Sequence, residues 1–333
     1  MFIIYQESDV GTLEISEIRE LGNNIRANIE KVIVGKGEVI DRFLIALFSS
    51  GHILLEDVPG TGKTMLAKAA ARSIDGAFRR IQFTPDLLPS DLTGINFYNQ
   101  KKGEFEFRAG AVFTNLLLAD EINRATPRTQ SALLECMEER QVTIDGETRR
   151  LDSPFIVIAT QNPVETQGTF PLPEAQLDRF LIKADMGYPS TEDGVAILKR
   201  FKADNPLESI QPVATAAQIV DAQASYTKVF VSDDVMNYII RIAEETRKHS
   251  DIILGVSPRG TQALLKAAQV CAILRGRDFV TPDDIREMVP SVFGHRIILK
   301  SSARIRKNQN LAILDSILSS VPVPTEEIRT GKD

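Results

Sequence analysis

Residues His52 to Glu56 (HILLE) form a short apolar run that breaks into Asp57-Val58-Pro59-Gly60-Thr61-Gly62-Lys63-Thr64, and Met65 to Ile74 (MLAKAAARSI) then reads as a helix. Few architectures accept a strand, a glycine-rich loop and a helix in immediate succession. Gly60 and Gly62 let the backbone bend so that successive N–H groups converge on phosphate oxygens. The helix N-terminus adds its partial positive charge. In such a loop Lys63 reaches the β- and γ-phosphates and the Thr64 hydroxyl ligates Mg²⁺. Pro59, Gly60, Thr61, Gly62, Lys63, Thr64 and Met65 are therefore the candidate contacts for ATP. Asp57 stands where the first glycine of this loop pattern usually is, and Asp tolerates left-handed backbone better than most residues.

Further apolar runs follow at Arg80 to Phe83, Asn115 to Asp120, Phe155 to Thr160 and Phe180 to Lys183, with amphipathic segments between several of them. Near-continuous apolar strands separated by helices predict a doubly wound parallel sheet covered on both faces. After Tyr188-Pro189-Ser190 the pattern changes to helices, near 191–203, 214–225, 232–249, 258–275 and 282–288. The expected organisation is a phosphate-loop α/β domain over 1–188 and a smaller all-helical domain over 189–333, frayed from about 322. Two hairpins are expected in the first domain. Ile95 to Tyr98 and Glu104 to Arg108 flank one turn; Gln141 to Ile144 and Glu147 to Leu151 flank Asp145-Gly146, a type I′ signal.

Leu116 to Glu121 is an apolar strand ending in two carboxylates. Placed beside the phosphate-loop strand, Asp120 would hold Mg²⁺ through water and Glu121 would orient or deprotonate the attacking water. The strand Phe155 to Thr160 leads into Gln161-Asn162, and an amide at that tip can hold the lytic water; the same Asn is also a turn former. Arg179 precedes a strand as an ordinary solvated charge or as a guanidinium offered to a neighbouring subunit's nucleotide. Ser257 and Pro258 are a good N-cap and first-turn pair, which puts Arg259 at a defined helix start.

A net charge of -6 argues against a nucleic-acid binder, which usually carries a basic surplus. Cys136 and Cys271 lack metal-ligand spacing and read as core thiols of a reducing compartment. No apolar run approaches the ~20 residues of a membrane span, and no signal peptide is evident, so a cytoplasmic protein is expected. His52, His249 and His295 form no triad.

The segments VPGTGKT, LLLADEINRA with Pro127, IATQNPVETQGTFPLPEAQLDRF and GVSPRG together resemble the MoxR group of AAA+ ATPases, over most of residues 30 to 300. The resemblance implies a helical lid after the sheet domain, a homo-oligomeric ring, most often a hexamer, and hairpins facing its pore. It implies that Val34 and Gly35 pack on adenine, that Asn162 is a first sensor, Arg179 a finger acting on the neighbour's nucleotide, and Arg259 a second sensor acting in cis or in trans. Arg124 is a further interface contact on the same ground. The implied work is to mature or activate a protein partner, often one with a von Willebrand factor A domain. Relatives in the same branch are nucleic-acid motors or subunits of metal-inserting complexes. Mixed signs on both hairpins disfavour the motor, and intact Glu121 and Arg179 disfavour a scaffold that only binds ATP.

Overall fold

The computed structural model describes residues 11–56, 60–162, 168–202, 206–300 and 309–324. Two helices, α1 (Ile15–Glu30) and α2 (Gly37–Phe48), precede the first strand, β1 (Ile53–Glu56). Helix α3 (Lys63–Ser73) follows, then β2 (Phe78–Gln82), the short α4 (Pro89–Thr93), and the hairpin strands β3 (Gly94–Asn99) and β4 (Glu104–Ala109). Next come β5 (Leu116–Asp120), α5 (Pro127–Glu139), a second hairpin β6 (Gln141–Ile144) and β7 (Glu147–Arg150), and β8 (Ile156–Gln161). A single turn, α6 (Glu174–Leu177), leads to β9 (Ile182–Ala184), and α7 (Thr191–Lys202) and α8 (Ala216–Ser225) follow.

Strands β2, β5, β8, β1 and β9 pair in that order, all parallel, as one sheet. β1, β5 and β8 are almost wholly buried, as expected of strands covered on both faces. Leu54, Leu117 and Val157 pack with Leu133, Leu134 and Met137 of α5 and are essentially inaccessible. Each such side chain contributes about 1.5–3 kcal/mol. One expectation is corrected here. The strand that ends in Asp120 does not lie beside the phosphate-loop strand; β8 is inserted between them. The tip of β8 is thereby part of the line from the loop to the acids.

His52 opens β1 in full burial. Its Nδ1 accepts from the Val157 N–H at 2.9 Å and its Nε2 donates to the Met137 carbonyl at 3.0 Å. Burial, then the Arg140 guanidinium, hold its pKa well below 6.5. The unfolded chain therefore binds a proton near pH 6.5 that the folded chain refuses, so stability falls as pH drops below that value. The expected contribution is a loss of at most about 1.4 kcal/mol per pH unit. In urea melts between pH 7 and pH 5, His52→Asn should show a shallower pH slope than the parent, whatever its absolute stability; an equal slope would contradict the neutral buried imidazole.

Both hairpins form as antiparallel ladders, and Asp145 and Gly146 take the positive φ values (50° and 84°) of a type I′ turn. They touch each other: Asn96 Nδ2 donates to Asp145 Oδ2 at 2.9 Å, and the Arg149 guanidinium lies 4.1 Å over the Phe107 ring. Further out on the first hairpin, Tyr98 and Phe105 meet edge to face at 5.3 Å while remaining 53% and 73% exposed.

By its contacts the chain divides into Met1–Tyr226 and Thr227–Asp333. Sequence pattern put the change at 188/189, because α7 and α8 look like the helices that follow them. In the fold both belong to the first unit, where Gln223 Nε2 of α8 donates to the Leu47 carbonyl of α2. The second unit holds α9 (Asp233–Lys248), β10 (Ile252–Leu254), α10 (Pro258–Leu274), α11 (Pro282–Phe293), β11 (Ile298–Leu299) and α12 (Gln309–Ser320). Its helices bury Ile242, Leu264, Ala267, Met288, Val289 and Leu314. Asp284 binds both Arg277 terminal nitrogens (2.6 and 2.7 Å) and the Thr281 backbone N–H. Burial pushes its carboxyl up, and these bonds outweigh burial, so its pKa ends below the usual value. The β10–β11 pair and α12 had no counterpart in the sequence pattern.

Candidate functional site

The loop after β1 carries the two backbone conformations its sequence demands. Gly60 (φ 87°) and Gly62 (φ 99°) lie in the left-handed region, where a side chain costs about 1 kcal/mol or more. Gly62 is the N-cap of α3, and no side chain caps that helix. The α3 N-terminus thus begins directly at the glycine loop, the arrangement that anion binding at a helix start uses. Asp57 and Pro59 lie outside the described residues.

A cavity of about 380 Å³ opens at this loop. Gly60, Gly62, Lys63, Thr64 and Met65 line it from one side, and Asp120, Glu121 and Asn162 from the other. Eight of the residues expected from sequence to serve one nucleotide are therefore gathered around one space. Glu121 has φ 55° and ψ 51°, a left-handed conformation that non-glycine residues rarely adopt. Its backbone N–H donates to Thr160 Oγ at 2.8 Å, and the Thr160 hydroxyl donates to Asp120 Oδ1 at 2.6 Å. The inserted strand β8 thus fixes both acids through one hydroxyl and supplies Asn162, which is buried, two residues further on.

Three lining residues were not singled out from sequence: Thr160, Arg80 and Gln82. Arg80 Nη2 and Nε donate to Asp120 Oδ2 at 2.6 and 3.2 Å. Gln82 donates to Glu121 Oε2, which also pairs with Arg124 at 3.1 Å. Alternation on β2 puts Arg80 and Gln82 on one face, which is the available signal for them. The sequence pattern takes them only as part of a sheet strand, and the ladder then sets Gln82 opposite Asp120.

The remaining expected residues lie elsewhere. Arg179 does not line the cavity; at the end of the α6 turn it pairs with Glu138 at 2.7 Å and donates to the Leu134 carbonyl at 2.7 Å. Val34 and Gly35 sit in the α1–α2 turn, where Gly35 has φ 68° and an added Cβ would strike the Asp193 carboxylate at 2.2 Å. Thr61 is half-buried in the loop. Arg259 is exposed in the first turn of α10 in the second unit, whose N-cap Ser257 accepts from the Gly260 N–H at 3.2 Å.

A hydroxyl (Thr64) and a carboxylate (Asp120) on one cavity are oxygen donors of the kind a hard divalent cation takes. Among the described residues no cluster of three or more His, Cys, Asp or Glu forms an all-protein metal cage. That donor set fits Mg²⁺ held by one or two side chains together with nucleotide phosphates.

Residues 52–182 match the ATPase family associated with various cellular activities (AAA), and residues 244–317 match the AAA lid domain. The chain is 50% identical to the Bacillus subtilis protein YeaC over 299 residues, covering 90% of this chain and 93% of that one. It is 41% identical to the chaperone MoxR1 of Mycobacterium tuberculosis over 305 residues, covering 89% and 80%. The crystal structure of a Cytophaga hutchinsonii protein with an ATPase assignment superposes with a TM-score of 0.87 at 40% identity, covering 93% of this chain and 97% of that one.

Proposed function

From the premise that the chain belongs to the MoxR family of AAA+ ATPases and is an ATP hydrolase, we propose that it works in the cytoplasm as a homo-oligomeric ring, a hexamer, that remodels a protein partner. Lys63 and the α3 N-terminus bind the phosphates of ATP. Thr64 and Asp120 would hold Mg²⁺, which supplies charge neutralisation on those phosphates. Glu121 orients or deprotonates the attacking water, and Asn162 holds that water in line. Arg179 serves the neighbouring subunit's nucleotide, and Arg259 senses nucleotide in cis or in trans. Val34 and Gly35 receive adenine.

The observation that carries the remodelling half is the first hairpin. It exposes the Tyr98–Phe105 pair, and one of its lysines is paired within the hairpin, Lys102 with Glu106 at 2.5 Å. On the second hairpin Arg149 pairs with Glu147 at 2.6 Å and stacks on Phe107. An apolar pair beside acids and bases in near balance suits a polypeptide better than a phosphodiester backbone, which calls for a cationic surplus. A partner carrying a von Willebrand factor A domain is the expected kind.

The test is retention by Glu121→Gln, which is expected to bind ATP and stall. Pull-downs from cell extract with ATP and with ADP should hold a protein in the ATP arm only. Nucleic acid in that arm, or nothing, would remove the remodelling reading and leave an ATPase without a protein client.

A further inference from the structure

Asp120 is 14% exposed at its side chain and both of its oxygens are engaged. Oδ1 takes the Thr160 hydroxyl at 2.6 Å, and Oδ2 takes Arg80 Nη2 at 2.6 Å and Nε at 3.2 Å. Arg80 belongs to β2, the strand at one end of the sheet, and its side chain is 48% exposed. The two partners therefore stand differently toward solvent. A largely buried carboxylate left without a cation is costly. A half-exposed guanidinium that leaves it recovers water at little cost.

We propose that Arg80 is the resident counter-ion of Asp120 and competes with the divalent cation for it, so that binding of a magnesium nucleotide is coupled to release of Oδ2 by Arg80. This rests on the reading of Asp120 as the acid on the metal side. Mg²⁺ or its bound water needs a carboxylate lone pair; the Thr160 hydroxyl takes one on Oδ1, and the two Arg80 N–H groups cover Oδ2. A metal ion and a guanidinium on one oxygen also repel each other at close range. Arg80 is coupled to the second acid as well: its Nη2 donates to Gln82 Oε1 at 3.3 Å, and Gln82 in turn donates to Glu121. Release of Arg80 from Asp120 therefore loosens a contact of the side chain that holds Glu121. The same β2 face that reads as plain strand surface becomes the element through which metal loading is felt at the water-activating acid.

The experiment measures binding of a fluorescent, non-hydrolysable ATP analogue with Mg²⁺ and with EDTA, and takes the ratio of the two affinities as the metal benefit. It compares the parent chain, Arg80→Met, Asp120→Asn and the double variant. Arg80→Met should raise the metal benefit about two- to fivefold, the scale of a partly exposed ion pair, and should change nothing in the Asp120→Asn background. A benefit unchanged or lowered by Arg80→Met overturns the proposal. An equal rise in the Asp120→Asn background overturns it too, because the effect would then be lost positive charge acting on the phosphates. A full metal benefit in Asp120→Asn alone would instead remove the reading of Asp120 on the metal side, and the competition with it.

Discussion

Lys63→Ala should lose ATP affinity by about 10²-fold or more while the fold persists. Lys63 is half-buried at the first position of α3, and alanine is a favourable residue in a helix, so the helix should form without it. What goes is a primary ammonium on a cavity that also holds the carboxylates of Asp120 and Glu121. Charge-assisted hydrogen bonds to phosphate are worth about 1.5–3 kcal/mol each, and the role proposed for Lys63 serves two phosphate groups. The acids make the loss larger, because without Lys63 they face the polyphosphate with less compensation. Fluorescent-nucleotide titration, alongside a thermal melt to confirm folding, reads the outcome. An ATP affinity equal to the parent's would place the nucleotide somewhere other than on this loop.

Much of this site was legible in sequence because its parts are local. GTGKT needs positive φ at Gly60 and Gly62, and both glycines adopt it. The Asp145-Gly146 turn and the apolar run ending in Asp120 are likewise self-contained signals. What stayed hidden depended on strand order. Periodicity identifies β8 as a strand but cannot say that it separates β1 from β5, and only that insertion brings Thr160 between the two acids. Arg80 and Gln82 follow the same logic: the strand pattern at Arg80 to Phe83 gives them no role until its register against β5 is known. The contact-based division falls later than the sequence pattern suggests, because an amphipathic helix does not reveal which core its apolar face meets. α7 and α8 share their pattern with α9, yet the first two pack with the sheet unit.

Arg179 carries the second large effect. Arg179→Ala should bind ATP normally and lose turnover by about 10³-fold, the scale on which a guanidinium supplied at the transferring phosphoryl group acts. Within the chain its guanidinium rests on Glu138 and on the Leu134 carbonyl, away from the residues that line the cavity at the glycine loop. A finger acting in cis would have to cross to that cavity; one acting in trans needs only a neighbour. Mixing separates the two. Arg179→Ala subunits keep Glu121, and Glu121→Gln subunits keep Arg179, so each alone is dead. In a head-to-tail ring assembled at random from equal amounts, about one site in four pairs an intact acid with a neighbour's intact arginine. Mixed rings should therefore recover up to about a quarter of parental ATPase, with the maximum near equal proportions. Co-refolded or subunit-exchanged mixtures across the full range of ratios give the curve. Activity that stays at the floor at every ratio, in mixtures shown by native mass spectrometry to contain both subunits, would mean that Arg179 serves its own nucleotide or only the fold.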